Sequence, residues 1–164
     1  MSDLFETSGA HFSLDRKYRY YLYRIWDYSK PKILFIGLNP STANENEDDP
    51  TIRRVKRFAK DWGYGGVYMM NLFAFVTPYP EELKKCENPQ GSNDYWLDAI
   101  SKRCDHILFA WGSFPEASER AKEVVAYFKQ GLALRVNKDG SPAHPLYIPA
   151  STVPVVYSSN QQIE

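Results

Sequence analysis

Two asparagines and a histidine, each standing just after an apolar run or a tight turn, are the side chains in this 164-residue sequence best placed to do chemistry. Asn39 follows Ile33-Leu-Phe-Ile-Gly-Leu38, Asn71 follows Val67-Tyr-Met-Met70, and His144 comes after Asn137-Lys-Asp-Gly140 and before Pro145. Gly112 stands in the same position after a third run, His106-Ile-Leu-Phe-Ala-Trp111. Polar groups at strand ends are where open α/β sheets bind ligands, so the chemistry expected is recognition of a small polar group in a cleft. Asn-Pro and Asn-Lys-Asp-Gly are also favoured turn sequences, and any one of them alone is weak evidence for a site.

Several other chemistries are excluded by pattern. The sequence has no phosphate loop ending in Gly-Lys-Ser/Thr, no dinucleotide glycine fingerprint and no paired histidines at metal-ligand spacing. The acidic run Glu45, Glu47, Asp48, Asp49 reads as a solvated loop with a helix cap rather than a magnesium site, so neither metal nor cofactor is expected. His11 and His106 fall within or at the start of strands and read as structural. Cys86 and Cys104 are too few for a thiolate cluster and suit a reducing compartment. Twenty basic residues balance twenty acidic ones, so any contact with DNA must come from a local patch. Arg53, Arg54 and Arg57, with Lys60, form such a patch on one helix face and could meet phosphates. The opening residues carry no basic-then-apolar leader and no apolar run reaches membrane length, which predicts a cytoplasmic protein without a membrane partner.

The elements that must position these groups are legible from periodicity. Ile33 to Leu38 is a near-continuous apolar run, suited to a strand buried on both faces of a parallel sheet. A polar loop leads to Asp49-Pro50, an N-cap followed by a residue preorganised for the first helical turn. Ile52, Val55, Phe58, Ala59 and Trp62 then recur at helical spacing until Gly63. Further strands are expected at Val67–Met70, His106–Trp111 and Leu132–Val136. Helices are expected near Glu81–Lys85, Asp94–Arg103 and Ala117–Lys129, the last with a capping box from Ser113 and Glu116. Phe12 to Trp26 alternates imperfectly, like an antiparallel hairpin preceding the sheet. The whole predicts one domain, residues 1–164, with a three-layer α/β fold around a four-stranded, mainly parallel sheet, and a fraying end from Ser158 to Glu164.

The motifs Leu38-Asn-Pro-Ser-Thr-Ala43, Asp49-Pro-Thr-Ile-Arg-Arg54, Gly63-Tyr-Gly-Gly66, Asn71-Leu-Phe-Ala74, Ala110-Trp-Gly112 and Asn137-Lys-Asp-Gly140 to His144-Pro-Leu-Tyr147 resemble domain-of-unknown-function family 1643. Their order is in turn similar to the uracil-DNA glycosylase superfamily, particularly its mismatch-specific branch. There a Gly-(Ile or Leu)-Asn-Pro loop follows the first strand, an Asn ends the second, a Trp-Gly ends the third, and a His-Pro or Asn-Pro opens the last loop. Ser41 departs from the glycine that often follows Asn-Pro, and Leu146 from the serine of His-Pro-Ser.

The resemblance implies a uracil-DNA-glycosylase-like fold and a pocket that holds a flipped base. It implies that Asn39 positions the attacking water, Asn71 reads the base edge and His144 stabilises the leaving base. Pro40, Ser41, Phe73 and Gly112 join Asn71 in contacting substrate, with Phe73 or Phe75 as the stacking face. The ligand is then a nucleobase, a nucleotide or DNA, and the reaction hydrolysis of an N-glycosidic bond. The alternative is a catalytically silent module of the same fold that binds a nucleotide or nucleic acid. Base identity and oligomeric state are open.

Overall fold

A computed structural model describes residues 6–158. The strands are β1 (Thr7–Phe12), β2 (Arg19–Ile25), β3 (Lys32–Gly37), β4 (Gly66–Asn71), β5 (His106–Phe109), β6 (Leu132–Ala133) and β7 (Val155–Val156). The helices are α1 (Pro50–Asp61), α2 (Asn93–Ser101) and α3 (Ser118–Tyr127). All seven strands join one sheet in the order β1-β2-β4-β3-β5-β6-β7. Pairing is parallel from β4 through β3 and β5 to β6, and antiparallel at β1–β2, β2–β4 and β6–β7.

This corrects the expected four-stranded sheet. The hairpin does not precede the sheet but forms its edge, because β2 pairs with β4 from Leu22–Met69 to Ile25–Gly66. It also begins earlier than Phe12, since Thr7 to His11 already pair with β2. β6 is only two residues long, and β7 follows an irregular segment with no periodic signal. The expected first helix after β4 is a 3-10 turn at Pro80–Lys84. The capping box before α3 does not form: Ser113 Oγ bonds to Asp139, a 3-10 turn occupies Pro115–Ala117, and no side chain caps α3. The expected fraying beyond Ser158 falls on residues 159–164, outside the described residues.

Alternation along β3 explains why both faces are covered. Ile33 and Phe35 pack with Val67, Met69, Leu108 and the α1 side chains Ile52, Val55, Phe58 and Ala59. Leu34 and Ile36 point the other way, onto Met70, Phe109, Leu97 and Ile100 of α2 and Val124 of α3. α1 starts where the sequence indicates, with the Asp49 carboxylate accepting from the Ile52 N–H at 2.9 Å and Pro50 in the first turn. It stops at Gly63, whose φ of +88° lies in the left-handed region that ends helices. Because β3, β4, β5 and β6 run parallel, their carboxyl ends share one edge, and the loops leaving them meet there.

Candidate functional site

A cavity of about 370 Å³ opens at that edge. Asn39, Pro40 and Ser41 reach it from the loop after β3, Asn71 from the end of β4, Gly112 from beyond β5, and His144 from the segment that returns after β6. The return is a tight turn in which Asn137 N–H donates to Ser141 O and Gly140 sits at φ +89°. Pro142 O then accepts from Gly112 N–H at 2.9 Å, tying the last loop to the third. Gly112 itself has φ +74°, and a Cβ there would stand 3.3 Å from the His144 Cβ. A glycine is therefore what lets the His144 loop close on β5.

Each polar side chain presents a defined face. Asn39 Nδ2 donates to Pro40 O at 3.0 Å and Thr77 O at 2.8 Å, which occupies both amide protons and leaves Oδ1 without a donor among the described residues. Asn71 is 3 % exposed and lies against Gly37, where a Cβ would come within 2.9 Å of its Nδ2. Its Oδ1 accepts from Arg19 Nη2 at 3.4 Å, while Nδ2 has no acceptor among the described residues. His144 Nδ1 accepts from the Leu146 N–H at 3.1 Å. Burial holds its pKa below the ordinary 6.5, against the pull of the Asp49 charge. A ring nitrogen that accepts carries no proton, so His144 is neutral and its proton sits on Nε2.

Two lining residues carry charges that sequence reasoning did not assign to the site. Among the described residues Asp49 is the only carboxylate lining the cavity, and its charge acts on both His144 and Arg19. Its capping role was readable, but a second role facing the cavity was not. Arg19 opens β2 and is 3 % exposed; Nη1 donates to Ala43 O at 3.2 Å, and Nε has no partner among the described residues. Burial brings its pKa down to about 10, so it remains a cation at neutral pH. The available signal was an arginine at each end of an aromatic strand, Arg19-Tyr-Tyr-Leu-Tyr-Arg24.

Other expected site residues lie elsewhere. Phe73 packs against the core cluster beneath α2 and α3, and Phe75 sits edge-on to Tyr18 at 6.2 Å. The rings lining the cavity are Trp111, Phe114 and Tyr147. Arg53, Arg54 and Arg57 do not line it. Arg53 bonds Asp48 O at 3.0 Å, Arg54 lies over the Phe58 ring, and Arg57 pairs with Asp61 at 3.1 Å. Lys60 lies over Trp26. The acidic run is likewise engaged: Glu45 pairs with Arg16, and Asp48 with Arg24 and Lys56. No group of three or more His, Cys, Asp or Glu among the described residues could hold a metal ion. Cys104 is a half-buried thiol whose pKa burial pushes up to about 12.

A larger cavity of about 550 Å³ adjoins the first across Trp111, Gly112 and Phe114. Its lining is mostly apolar, from Ala117, Ala121, Val125 and Tyr157, with Lys122 and Asp139 its only charged side chains among the described residues. Size favours this groove, but polar chemistry favours the smaller cavity, where convergent donors and a carboxylate are available.

No helix among the described residues is long and apolar enough to cross a membrane. Neither the curated proteins nor the solved structures compared with the chain gave a match. The family described as "Protein of unknown function (DUF1643)" matches residues 19–146, a span that runs from Arg19 in the cavity to Leu146 on its rim. By that match the chain belongs to the DUF1643 family.

Proposed function

We propose that the cavity at the strand ends binds a nucleobase, free or within a nucleotide or DNA, and hydrolyses its N-glycosidic bond. The observation that carries this reading is the convergence of Asn39, Asn71, Gly112 and His144, from four separate loops, on one cavity that also contains Asp49. Water adds to the anomeric carbon as the bond to the base nitrogen breaks, and the base leaves with the electron pair. Asn39 Oδ1 orients that water, and Asp49 accepts its proton, which a carboxamide cannot do. The Nε2–H of neutral His144 donates to the charge growing on the base, and Asn71 Nδ2 donates to the base edge. Trp111, Phe114 and Tyr147 provide rings for stacking. The same motif order supports a uracil-DNA-glycosylase-like fold.

The test is base release from uracil-, mismatch- and modified-base oligonucleotides and from nucleotides. Wild type releases base from at least one substrate, while Asp49→Asn and His144→Ala each lower the rate by about a hundredfold or more with little loss of affinity. A silent binding module is favoured by one observation: both Asn39 amide protons brace backbone carbonyls. Binding by wild type without any release would make that the better reading.

A further inference from the structure

Three arginines among the described residues are buried, and two of them are neutralised. Arg24, 1 % exposed, pairs with Asp48 at 2.8 Å and donates to the carbonyls of Gly9, Tyr23, Asn44 and Glu47. Arg120, 7 % exposed, pairs with Asp94 at 2.8 Å and with Glu123 at 3.3 Å, and donates to Leu72 O. Arg19 has no carboxylate partner among the described residues, and its Nε has no acceptor. It is also the only one of the three that lines the cavity. A desolvated cation with no ion-paired carboxylate, feeling the Asp49 charge only from beyond pairing distance, is costly, and Arg19 borders a cavity of about 370 Å³ that could take an anion.

We infer that Arg19 and Asn71 form an oxyanion subsite on the cavity wall, so that the ligand carries a carboxylate or phosphate rather than a neutral base alone. The hydrogen bond from Arg19 Nη2 engages the acceptor of the Asn71 carboxamide, and Nδ2 has no acceptor among the described residues. Asn71 then offers a donor only, as does the guanidinium. One Nδ2 proton suffices for a base carbonyl; the second, beside the guanidinium and with no acceptor between them, matches an anionic oxygen group on the same ligand. Asp49 shares the cavity and opposes an anion, but its Oδ1 is engaged with the first turn of α1, and it does not pair with Arg19.

The inference rests on the cavity taking a nucleobase-bearing ligand, and its test separates the two ideas. Affinities are measured calorimetrically for the four ribonucleoside 5′-monophosphates, their parent nucleosides, uracil, and the pyrimidine carboxylate orotate. The proteins are wild type, Arg19→Lys and Arg19→Met. With wild type, the phosphate source predicts that a monophosphate binds about tenfold or more tightly than its nucleoside; the carboxylate source predicts the same margin for orotate over uracil. In Arg19→Met the margin between each anionic compound and its neutral parent falls below about threefold, and Arg19→Lys keeps part of it. A purely bracing role for Arg19 would instead weaken neutral and anionic ligands alike and lower the melting temperature of Arg19→Met. Equal wild-type affinity for neutral and anionic partners, or a margin that survives Arg19→Met, overturns the subsite. If no base-bearing compound binds, the nucleobase reading fails, and inorganic phosphate decides the rest. A shift of the Arg19 Nε–H resonance on adding phosphate sustains the subsite, and no shift removes it.

Discussion

Arg24 and Arg19 stand five residues apart on one strand, both buried and both donating to the loop between β3 and α1, yet only Arg24 is ion-paired. Around Arg24 the structure closes on itself. Lys56 bridges Asp48 and Glu6 at 2.9 Å each, and burial of the Asp48 carboxyl is outweighed by hydrogen bonds from Lys56 and Arg24 that hold its pKa below the ordinary 3.8. Arg19 instead lines the cavity together with the Asn71 carboxamide, the neutral His144 imidazole and Asp49. Arg24 is ion-paired with Asp48, whereas Arg19 feels Asp49 without pairing with it and donates only to Ala43 O and Asn71 Oδ1. Buried polar groups are satisfied where they hold the fold and left wanting where a ligand completes them.

The largest effect should come from breaking the strut. Arg24→Met leaves at least three carbonyls and a carboxylate short of donors, and should lower unfolding stability by about 3–5 kcal/mol in urea titrations. The same change at Arg19 removes an unpaired buried charge and should leave stability within about 1 kcal/mol of wild type, or above it. Equal losses at the two positions would erase the distinction. Gly37→Ala should act between the regions: its Cβ meets Met69 Cε at 2.8 Å and Asn71 Nδ2 at 2.9 Å, so it should cost about 1–3 kcal/mol and weaken ligand binding by displacing the carboxamide.

Acid should separate the two regions with the smallest perturbation. The pKa of His144 is depressed by burial, so its stability contribution is complete above 6.5 and is lost as pH falls toward the lowered folded value. Protonation also removes the acceptor for the Leu146 N–H, so amide exchange at Leu146 should accelerate in that window. Asp48, also depressed, contributes fully above 3.8 and loses its contribution only below it. Exchange at Asn44 and Glu47 should therefore stay slow until the pH passes below 3.8; simultaneous loosening of both loops would contradict the separation.

Sequence signals revealed these regions unequally because some are local and others are made by tertiary contact. The β3 strand was legible because every residue from Ile33 to Ile36 is apolar and fully buried, and the Asp49-Pro50 start of α1 because capping involves only neighbours in sequence. The Ser113–Glu116 box failed because Asp139, 26 residues away, takes the Ser113 hydroxyl. β6 and β7, two residues each, are held by pairing partners rather than by pattern. In the site, Asn39, Asn71, Gly112 and His144 were readable as strand-end residues. Phe73 was misjudged because an aromatic residue after a strand can turn to either face, and this one turns to the core. Arg19 escaped notice because burial without an ion-paired carboxylate is a property of the folded state alone.

The central claim is that the polar cavity, rather than the larger apolar groove beside it, receives the ligand. Side-chain NMR during titration with nucleoside 5′-monophosphates tests it most directly. The account predicts that the Asn71 Nδ2 protons and the His144 Nε2 proton shift together on saturation, while Ala121, Val125 and Tyr157 in the groove stay unchanged. Shifts confined to those groove residues, with Asn71 and His144 silent, would contradict it.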